Sequence, residues 1–232
     1  MNRNNVIKPG WVLLCFCMLL APLFVHSQET PERESILIIS SYNPDTRRMA
    51  SFITEFEQQI LASGIPCDIY IETLESKGIA DAALWMSLID NMITRYENRS
   101  LRAIVLLGQE AWASFVSLGR IPEGVMCFSG FASSNGVMLP PPPDSLQTWK
   151  PRSVEYQGMT DSLKAVGGML NRYNIRRNVE LIRSLYPQVE NIALITDNTY
   201  GGISLQALVR EEWKNYPDLN LVLVDSREGD EA

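Results

Sequence analysis

Histidine and cysteine are scarce in this chain, and their scarcity removes several kinds of chemistry. The 232 residues include one histidine, His26, and four cysteines. His26 lies within residues 1–27, a leader that we predict to be removed, so the mature chain has no imidazole. Serine–histidine catalysis, cysteine–histidine catalysis and histidine metal sites are thereby excluded. The sequence predicts no catalytic residue, no metal site and no cofactor.

The leader has the three regions of a secretory signal. Arg3 and Lys8 precede an uncharged stretch over residues 11–25, and small Ser27 precedes Gln28. That stretch is short for a membrane span. We therefore predict a signal peptide over residues 1–27, with cleavage after Ser27 and a periplasmic or extracytoplasmic product. An uncleaved signal that anchors the chain in the membrane is the alternative.

Positive charge is also in short supply. The chain has 20 Lys and Arg against 27 Asp and Glu, a formal net charge of −7, and loss of Arg3 and Lys8 with the leader changes it to −9. A chain this acidic repels a phosphate backbone, and its basic residues are scattered rather than clustered. We expect no nucleic-acid partner.

Two of the four cysteines, Cys15 and Cys17, lie in the leader, which leaves Cys67 and Cys127. We place these two on the second and fourth strands of a sheet with order 2-1-3-4, three strand spacings or roughly 14 Å apart. A disulfide needs α-carbons within roughly 7 Å. Both cysteines are predicted to be free, buried strand residues.

From residue 35 to residue 131, apolar runs alternate with segments whose apolar residues recur at the spacing of one helix face. This alternation predicts an α/β fold with a parallel sheet and right-handed crossovers. The predicted strands cover residues 36–39, 67–71, 103–107 and 125–128. The predicted helices cover residues 49–60, 84–96 and 109–118.

The periodicity stops between residues 132 and 152, where four consecutive prolines occupy 140–143. We predict a loop, which is either a surface loop of a first lobe or part of the route to a second lobe. Beyond it the pattern predicts helices over 178–186 and 203–216 and strands over 191–196 and 219–224.

These patterns predict two lobes after the leader. Lobe 1, at residues 33–152, is Rossmann-like, and residues 153–232 form a partial lobe 2. A lobe like the first would need about five strands. We therefore expect a truncated second lobe, with Leu221 and Leu223 poorly covered.

Polar residues at the strand ends are the candidate ligand-binding site, because open parallel sheets bind small molecules at that edge. The candidates are Ser40, Ser41, Tyr42, Gln109, Glu110, Ser129, Gly130, Asp197, Asn198, Thr199 and Tyr200. The helix starts that follow the strands favour anionic or carbonyl ligand groups. For Glu110 and Asp197, helix capping explains the residue as well as ligand contact does.

Three segments carry a family resemblance: IISSYNPD at 38–45, LGQEAW at 107–112, and TDNTYGG at 196–202 followed by YPDL at 216–219. In this order the chain resembles the extracytoplasmic sensor region of Bacteroidetes two-component (hybrid) histidine kinases. That region is similar to ABC-transporter substrate-binding proteins of the type I periplasmic-binding-protein fold. The resemblance covers about residues 35–224.

The resemblance implies that an unidentified small molecule is captured between two lobes and that closure is passed to a partner. The partner would be a membrane kinase if the chain is a sensor, or a permease if it is the periplasmic solute-binding component of an ABC transporter. Neither a phospho-acceptor helix nor an ATP-binding domain is found in these 232 residues. The resemblance therefore implies the sensor module without the kinase part.

Two enzyme-like readings fit the residues poorly. An exported hydrolase needs a nucleophile with a base, and the chain has neither a G-x-S-x-G motif nor a mature histidine. A phosphorylated receiver domain needs an acidic pocket after its first strand, where this chain has Ser40, Ser41 and Tyr42. We predict that the protein is not an enzyme.

Overall fold

The computed structural model describes residues 33–43, 46–76, 81–140, 150–160 and 166–225. The predicted signal peptide, prolines 141–143 and Asp45, the last residue of the segment 38–45, lie outside the described residues. Those described belong to one compact unit that begins at Arg33. None of the helices described is long and apolar enough to cross a membrane.

The elements alternate between strand and helix as the pattern predicts. The first half contains β1 (Glu34–Ser40), α1 (Arg47–Ala62), β2 (Cys67–Thr73), α2 (Ala82–Glu97), β3 (Leu101–Leu107), α3 (Gln109–Leu118) and β4 (Met126–Ser133). The second half contains β5 (Asn135–Val137), β6 (Ser153–Glu155), α4 (Tyr156–Thr160), β7 (Val166–Asn171), α5 (Ile175–Leu185), β8 (Asn191–Thr196), α6 (Tyr200–Glu212), a 3-10 turn (Trp213–Asn215) and β9 (Asn220–Asp225).

Five parallel strands form the main sheet, in the order β2-β1-β3-β4-β7. This order confirms the predicted 2-1-3-4 arrangement and the α/β class. The chain moves outward in opposite directions from β1 and β3, so a crevice forms between the carboxyl ends of these two strands.

Alternate residues of the strands pack on opposite faces of this sheet. Ile38 packs with Met49 and Ile53 of α1 on one face. Leu37 and Ile39 join the buried residues of α2 and α3 on the other. The sheet therefore lies between two helical layers, as a three-layer α/β lobe requires.

The helix predicted over residues 84–96 is confirmed as α2, but not every apolar residue in it is buried. Trp85, Ile89 and Ile93 are buried, whereas Leu84 and Leu88 are 61% and 40% exposed. An apolar run that is wider than one helical face does not reveal which side packs on the sheet.

The loop predicted between residues 132 and 152 is partly wrong. β4 continues to Ser133, and β5 pairs antiparallel with β6, with Gly136 opposite Val154. Each strand of this pair has three residues. Three residues are too few to show the period-2 alternation of apolar and polar residues, so the sequence pattern did not predict these strands.

The fifth strand of the main sheet, β7, was not predicted either, because it contains Gly167 and Gly168. Gly168 has φ +118°, and a Cβ there would lie 2.3 Å from the carbonyl oxygen of Ser129. The sequence rule reads such glycines as strand breakers, but here the glycine permits close approach of β7 to β4.

The two clear strands predicted near the C-terminus pair with each other as a separate parallel sheet, β8-β9. The expectation that Leu221 and Leu223 are poorly covered is only partly correct, since both are partly buried. The opposite face is the exposed one, with Ile195 at 77% and Val224 at 46%. Period-2 alternation gives two faces, and only packing decides which of them is covered.

The start of α6 packs into the core of the main sheet. Tyr200, Ile203 and Ala207 belong to the same buried cluster as Trp85 and Trp112. Residues on both sides of the predicted 152/153 boundary therefore share one core. The division into lobes at that position stays a prediction.

Both cysteines are free, as predicted. Cys127 is fully buried in β4, whereas Cys67 is only partly buried because β2 lies at the edge of the sheet. The expectation of burial is therefore correct for Cys127 and only partly correct for Cys67.

Candidate ligand-binding site

A cleft of about 330 Å³ opens at the carboxyl ends of β1 and β3. Its lining residues come from the loop after β1, the first turns of α1, α3 and α6, and the end of β4. They are Tyr42, Thr46, Met49, Gly108, Gln109, Glu110, Phe131, Thr199 and Gly201. The strand-end segments after β1, β3 and β8 thus contribute to one cleft, although more than 150 residues separate the first from the last.

Three helices begin at this cleft. Thr46, Gly108 and Thr199 are the residues immediately before α1, α3 and α6. The first backbone N–H groups of a helix have no partner within the helix and carry a partial positive charge. Negative or carbonyl groups in the cleft are stabilised by this arrangement.

Glu110 and Tyr42 form the polar centre of the cleft. The Tyr42 hydroxyl donates to Glu110 Oε1 at 2.7 Å. Glu110 is only 3% exposed, and its Oε2 is a buried atom without a hydrogen-bond partner. Burial raises the pKa of Tyr42 well above its ordinary value, and the charge and hydrogen bond of Glu110 raise this pKa further. Tyr42 therefore stays protonated and keeps donating to the carboxylate at neutral pH.

Ser40 and Ser41 do not line the cleft but shape its wall. The Ser40 hydroxyl donates to the carbonyl oxygen of Tyr42 at 2.7 Å. Ser41 Oγ accepts from the backbone N–H of Ala111 at 2.9 Å, so a residue after β1 caps the helix that follows β3. Both serines are fully buried.

Gly108 makes this cross-strand cap possible. Its φ is +105°, a conformation that favours glycine, and a Cβ at this position would lie 2.4 Å from Ser41 Oγ. A glycine at the start of α3 cannot cap the helix with a side chain of its own. Ser41 supplies the missing acceptor.

At the start of α6, Asp197 holds the loop that reaches the cleft. Asp197 Oδ1 accepts from the backbone N–H of Thr199 at 3.2 Å and from its hydroxyl at 2.6 Å. Thr199 Oγ1 in turn accepts from the N–H of Gly202. Asp197 thus orders the loop before α6 rather than capping the helix itself, since Thr199 is the N-cap residue and also lines the cleft. Contact of Asp197 with a ligand stays a prediction. Asn198 is exposed and does not line it.

The predicted site residues Ser129, Gly130 and Tyr200 lie outside the cleft. The carbonyl of Gly130 accepts from the N–H of Gly108 at 2.9 Å, so Gly130 supports the floor of the site through its backbone. Ser129 is buried. Tyr200 is 1% exposed and points its hydroxyl at the backbone of Val137, which makes it a core residue.

Thr46, Met49 and Phe131 line the cleft but were not predicted as site residues. Phe131 has φ +58°, and the pairing of β4 with β7 shifts register between Ser129 and Ala132. This bulge turns the strand at the edge of the site. The hydrophobic pattern places Met49 on the core face of α1 and gives no sign that it also borders a cavity.

A second cavity of about 250 Å³ adjoins the cleft, since Gln109 and Phe131 line both. Asn171, Arg172 and Tyr173 lie on its far side. Gln109 Nε2 donates to the Tyr173 hydroxyl at 3.4 Å. Gln109 therefore links the end of β7 to the cleft. Across the described residues there is no cluster of three or more His, Cys, Asp or Glu side chains that could hold a metal ion.

Comparison with known proteins gives similarity at the level of solved structures. One match is a substrate binding protein with adhesive properties from Clostridium difficile, in a ligand-free, open structure, with 11% identity and a TM-score of 0.45. Another is a periplasmic sugar-binding protein from Pseudomonas fluorescens, with 14% identity and a TM-score of 0.42. The matches cover 84% and 82% of this chain, but 59% and 51% of those proteins. No family model and no curated protein matches the chain.

Proposed function

We propose that this chain is the extracytoplasmic small-molecule-binding sensor module of a two-component histidine kinase. The observation that carries the proposal is the cleft at the β1/β3 crevice, to which the loops after β1, β3 and β8 all contribute. Open α/β sheets bind their ligands at this position. The strand order agrees with the type I periplasmic-binding-protein-like lobe that the sequence resemblance implies.

The proposed partner is a membrane kinase that responds when a ligand draws the two sides of the cleft together. The same cleft would serve the periplasmic component of an ABC transporter, whose partner is a permease. A kinase coded next to or in frame with this chain supports the sensor role, and a neighbouring permease supports transport.

The side chains of the cleft favour ligand binding without a chemical reaction. The mature sequence has no histidine, and the cleft presents one carboxylate next to one tyrosine. A hydrolytic mechanism needs a positioned nucleophile with a base and an orienting group. We therefore propose that the ligand leaves the cleft unchanged.

A thermal-shift screen of amino acids, sugars and nucleobase-like compounds tests the proposal. We expect at least one compound to raise the melting temperature of the wild type, since a ligand that binds only the folded state stabilises it. Phe131→Ala should abolish the shift. Phe128→Ala is the matched control, because Phe128 lies on the same strand but does not line the cleft. No stabilising compound, or an equal shift in both variants, would contradict the proposal.

A further inference from the structure

We propose that the ligand of this cleft carries a protonated amine, which binds to the carboxylate of Glu110. This inference rests on the proposed function and names the chemical class of the ligand. It is carried by the burial of Glu110, the unused hydrogen-bonding capacity of its carboxylate and the composition of the cleft wall.

Glu110 is buried to a degree that capping alone does not require. A glutamate in the first turn of a helix is stabilised by the helix dipole even when it is fully exposed to water. Glu110 is 3% exposed, and Tyr42 satisfies only its Oε1, whereas Oε2 is buried and has no hydrogen-bond partner. A buried carboxylate is unfavourable unless it is paired or fully hydrogen-bonded. A donor from a ligand in the cleft would complete its hydrogen bonding.

The charges of the side chains that line the cleft indicate which charge a ligand donor should carry. Among the described lining residues, Glu110 is the one charged side chain, so no protein cation there neutralises it. Asp197 lies close enough for its charge to contribute to the raised pKa of Tyr42, which adds a second negative group near the site. A positively charged ligand group would compensate this negative charge.

Aromatic and apolar side chains share the cleft with the carboxylate. Tyr42, Phe131 and Met49 all line the same cleft as Glu110. Aromatic faces attract ammonium groups, and they also cover the carbon frame that bears such a group. A carboxylate together with aromatic walls therefore fits an amine on an apolar frame.

The three helix starts favour a negative group, and Glu110 supplies one at the start of α3. Glu110 lies in the first turn of α3, so its own carboxylate interacts with the partial positive charge of the helix start. Arg172, which lines the neighbouring cavity, is paired with Glu155 at 3.6 Å. In the cleft, Oε2 of Glu110 therefore has no hydrogen-bond donor from the protein.

The test compares three probes that share a phenyl frame and differ in their head group: 2-phenylethylamine, 2-phenylethanol and phenylacetate. Their affinity for the full chain is measured by ligand-detected NMR or by calorimetry. We expect the amine to bind at least about tenfold more tightly than the alcohol, since hydrogen bonds to charged groups are stronger than neutral ones. Phenylacetate should bind most weakly of the three.

Glu110→Gln should weaken the affinity for 2-phenylethylamine at least about tenfold. The affinity for 2-phenylethanol should be nearly unchanged, because the amide keeps the shape of the side chain and loses its charge. Glu72→Gln is the matched control. Glu72 also accepts a tyrosine hydroxyl, that of Tyr96 at 2.7 Å, but it does not line the cleft. The amine affinity of this control should equal that of the wild type.

The outcomes separate this inference from the proposed function. Amine binding that is lost in Glu110→Gln and kept in Glu72→Gln supports both. If the screen yields only neutral or anionic ligands, or if Glu110→Gln binds the amine as well as the wild type does, the inference is overturned and the binding function stands. If neither the screen nor the probes give any binding at the cleft, both fail.

Discussion

The hydroxyl oxygens of Tyr156 and Tyr200 lie 2.5 Å apart in the core, and both contact the backbone of Val137. Tyr200 accepts from the N–H of Val137 at 3.0 Å and donates to its carbonyl oxygen at 2.8 Å. These bonds connect the first turn of α6 to the β5-β6 pair. The loop with Asp197 and Thr199 precedes this turn directly, so the same bonds fix the position of that side of the cleft.

Tyr200→Phe is expected to destabilise the protein. The variant leaves the N–H of Val137 buried without its acceptor, at a cost of about 1–3 kcal/mol. For a domain of this size the melting temperature should fall by about 2–4 °C per kcal/mol. Thermal unfolding followed by circular dichroism measures this change. The control is Tyr186→Phe, at a tyrosine that is 67% exposed, and an equal melting temperature for the two variants would refute the assigned role of Tyr200.

Gly108→Ala is expected to be destabilising as well, because the new methyl group meets Ser41 Oγ in a backbone conformation that side chains rarely adopt. Strain of this type costs about 1–3 kcal/mol. Chemical denaturation measures the change in unfolding free energy. Gly158→Ala is the control, since a Cβ at that helical glycine meets no atom within 4 Å. A Gly108→Ala protein as stable as this control would show that the close approach is absent in solution.

The two thiols should differ in reactivity. Burial raises the pKa of Cys127 to about 12, whereas Cys67 is partly exposed at the edge of the sheet with a pKa that is raised less. The thiolate is the reactive form, so the higher pKa and the burial both protect Cys127. In a chain that begins at Gln28, Ellman's reagent should modify Cys67 first in the folded state. After denaturation without reductant it should titrate two thiols, and a count of zero would reveal a disulfide.

Asp197→Ala should weaken the start of α6 and, through it, ligand binding. The variant loses the acceptor for the N–H and hydroxyl of Thr199, the N-cap residue of α6, and the loss of such hydrogen bonds costs about 1 kcal/mol. Thermal unfolding and titration with a hit from the screen measure the two effects. Asn198→Ala is the neighbouring control, because Asn198 is exposed and outside the cleft. Identical binding by both variants would mean that Asp197 does not position the cleft.

Much of the main sheet could be predicted from the sequence. The strands β1 and β3 are apolar runs and β2 alternates between apolar and polar residues, and strands separated by helices in this order can pair in few arrangements. The β1/β3 crevice and four of the nine cleft-lining residues, Tyr42, Gln109, Glu110 and Thr199, follow from that order. These are local signals, which single segments carry by themselves.

The sequence by itself determined that the one histidine stands at position 26 and that strands alternate with helices, because composition and hydrophobic period can be read without knowing any contact. The tertiary structure decided which polar residues line the cleft. Ser41 turns away to cap α3, Tyr200 enters the core beside Tyr156, and Phe131 reaches the cleft through a bulge in β4. These roles depend on contacts between residues far apart in the chain, and no local pattern encodes such contacts.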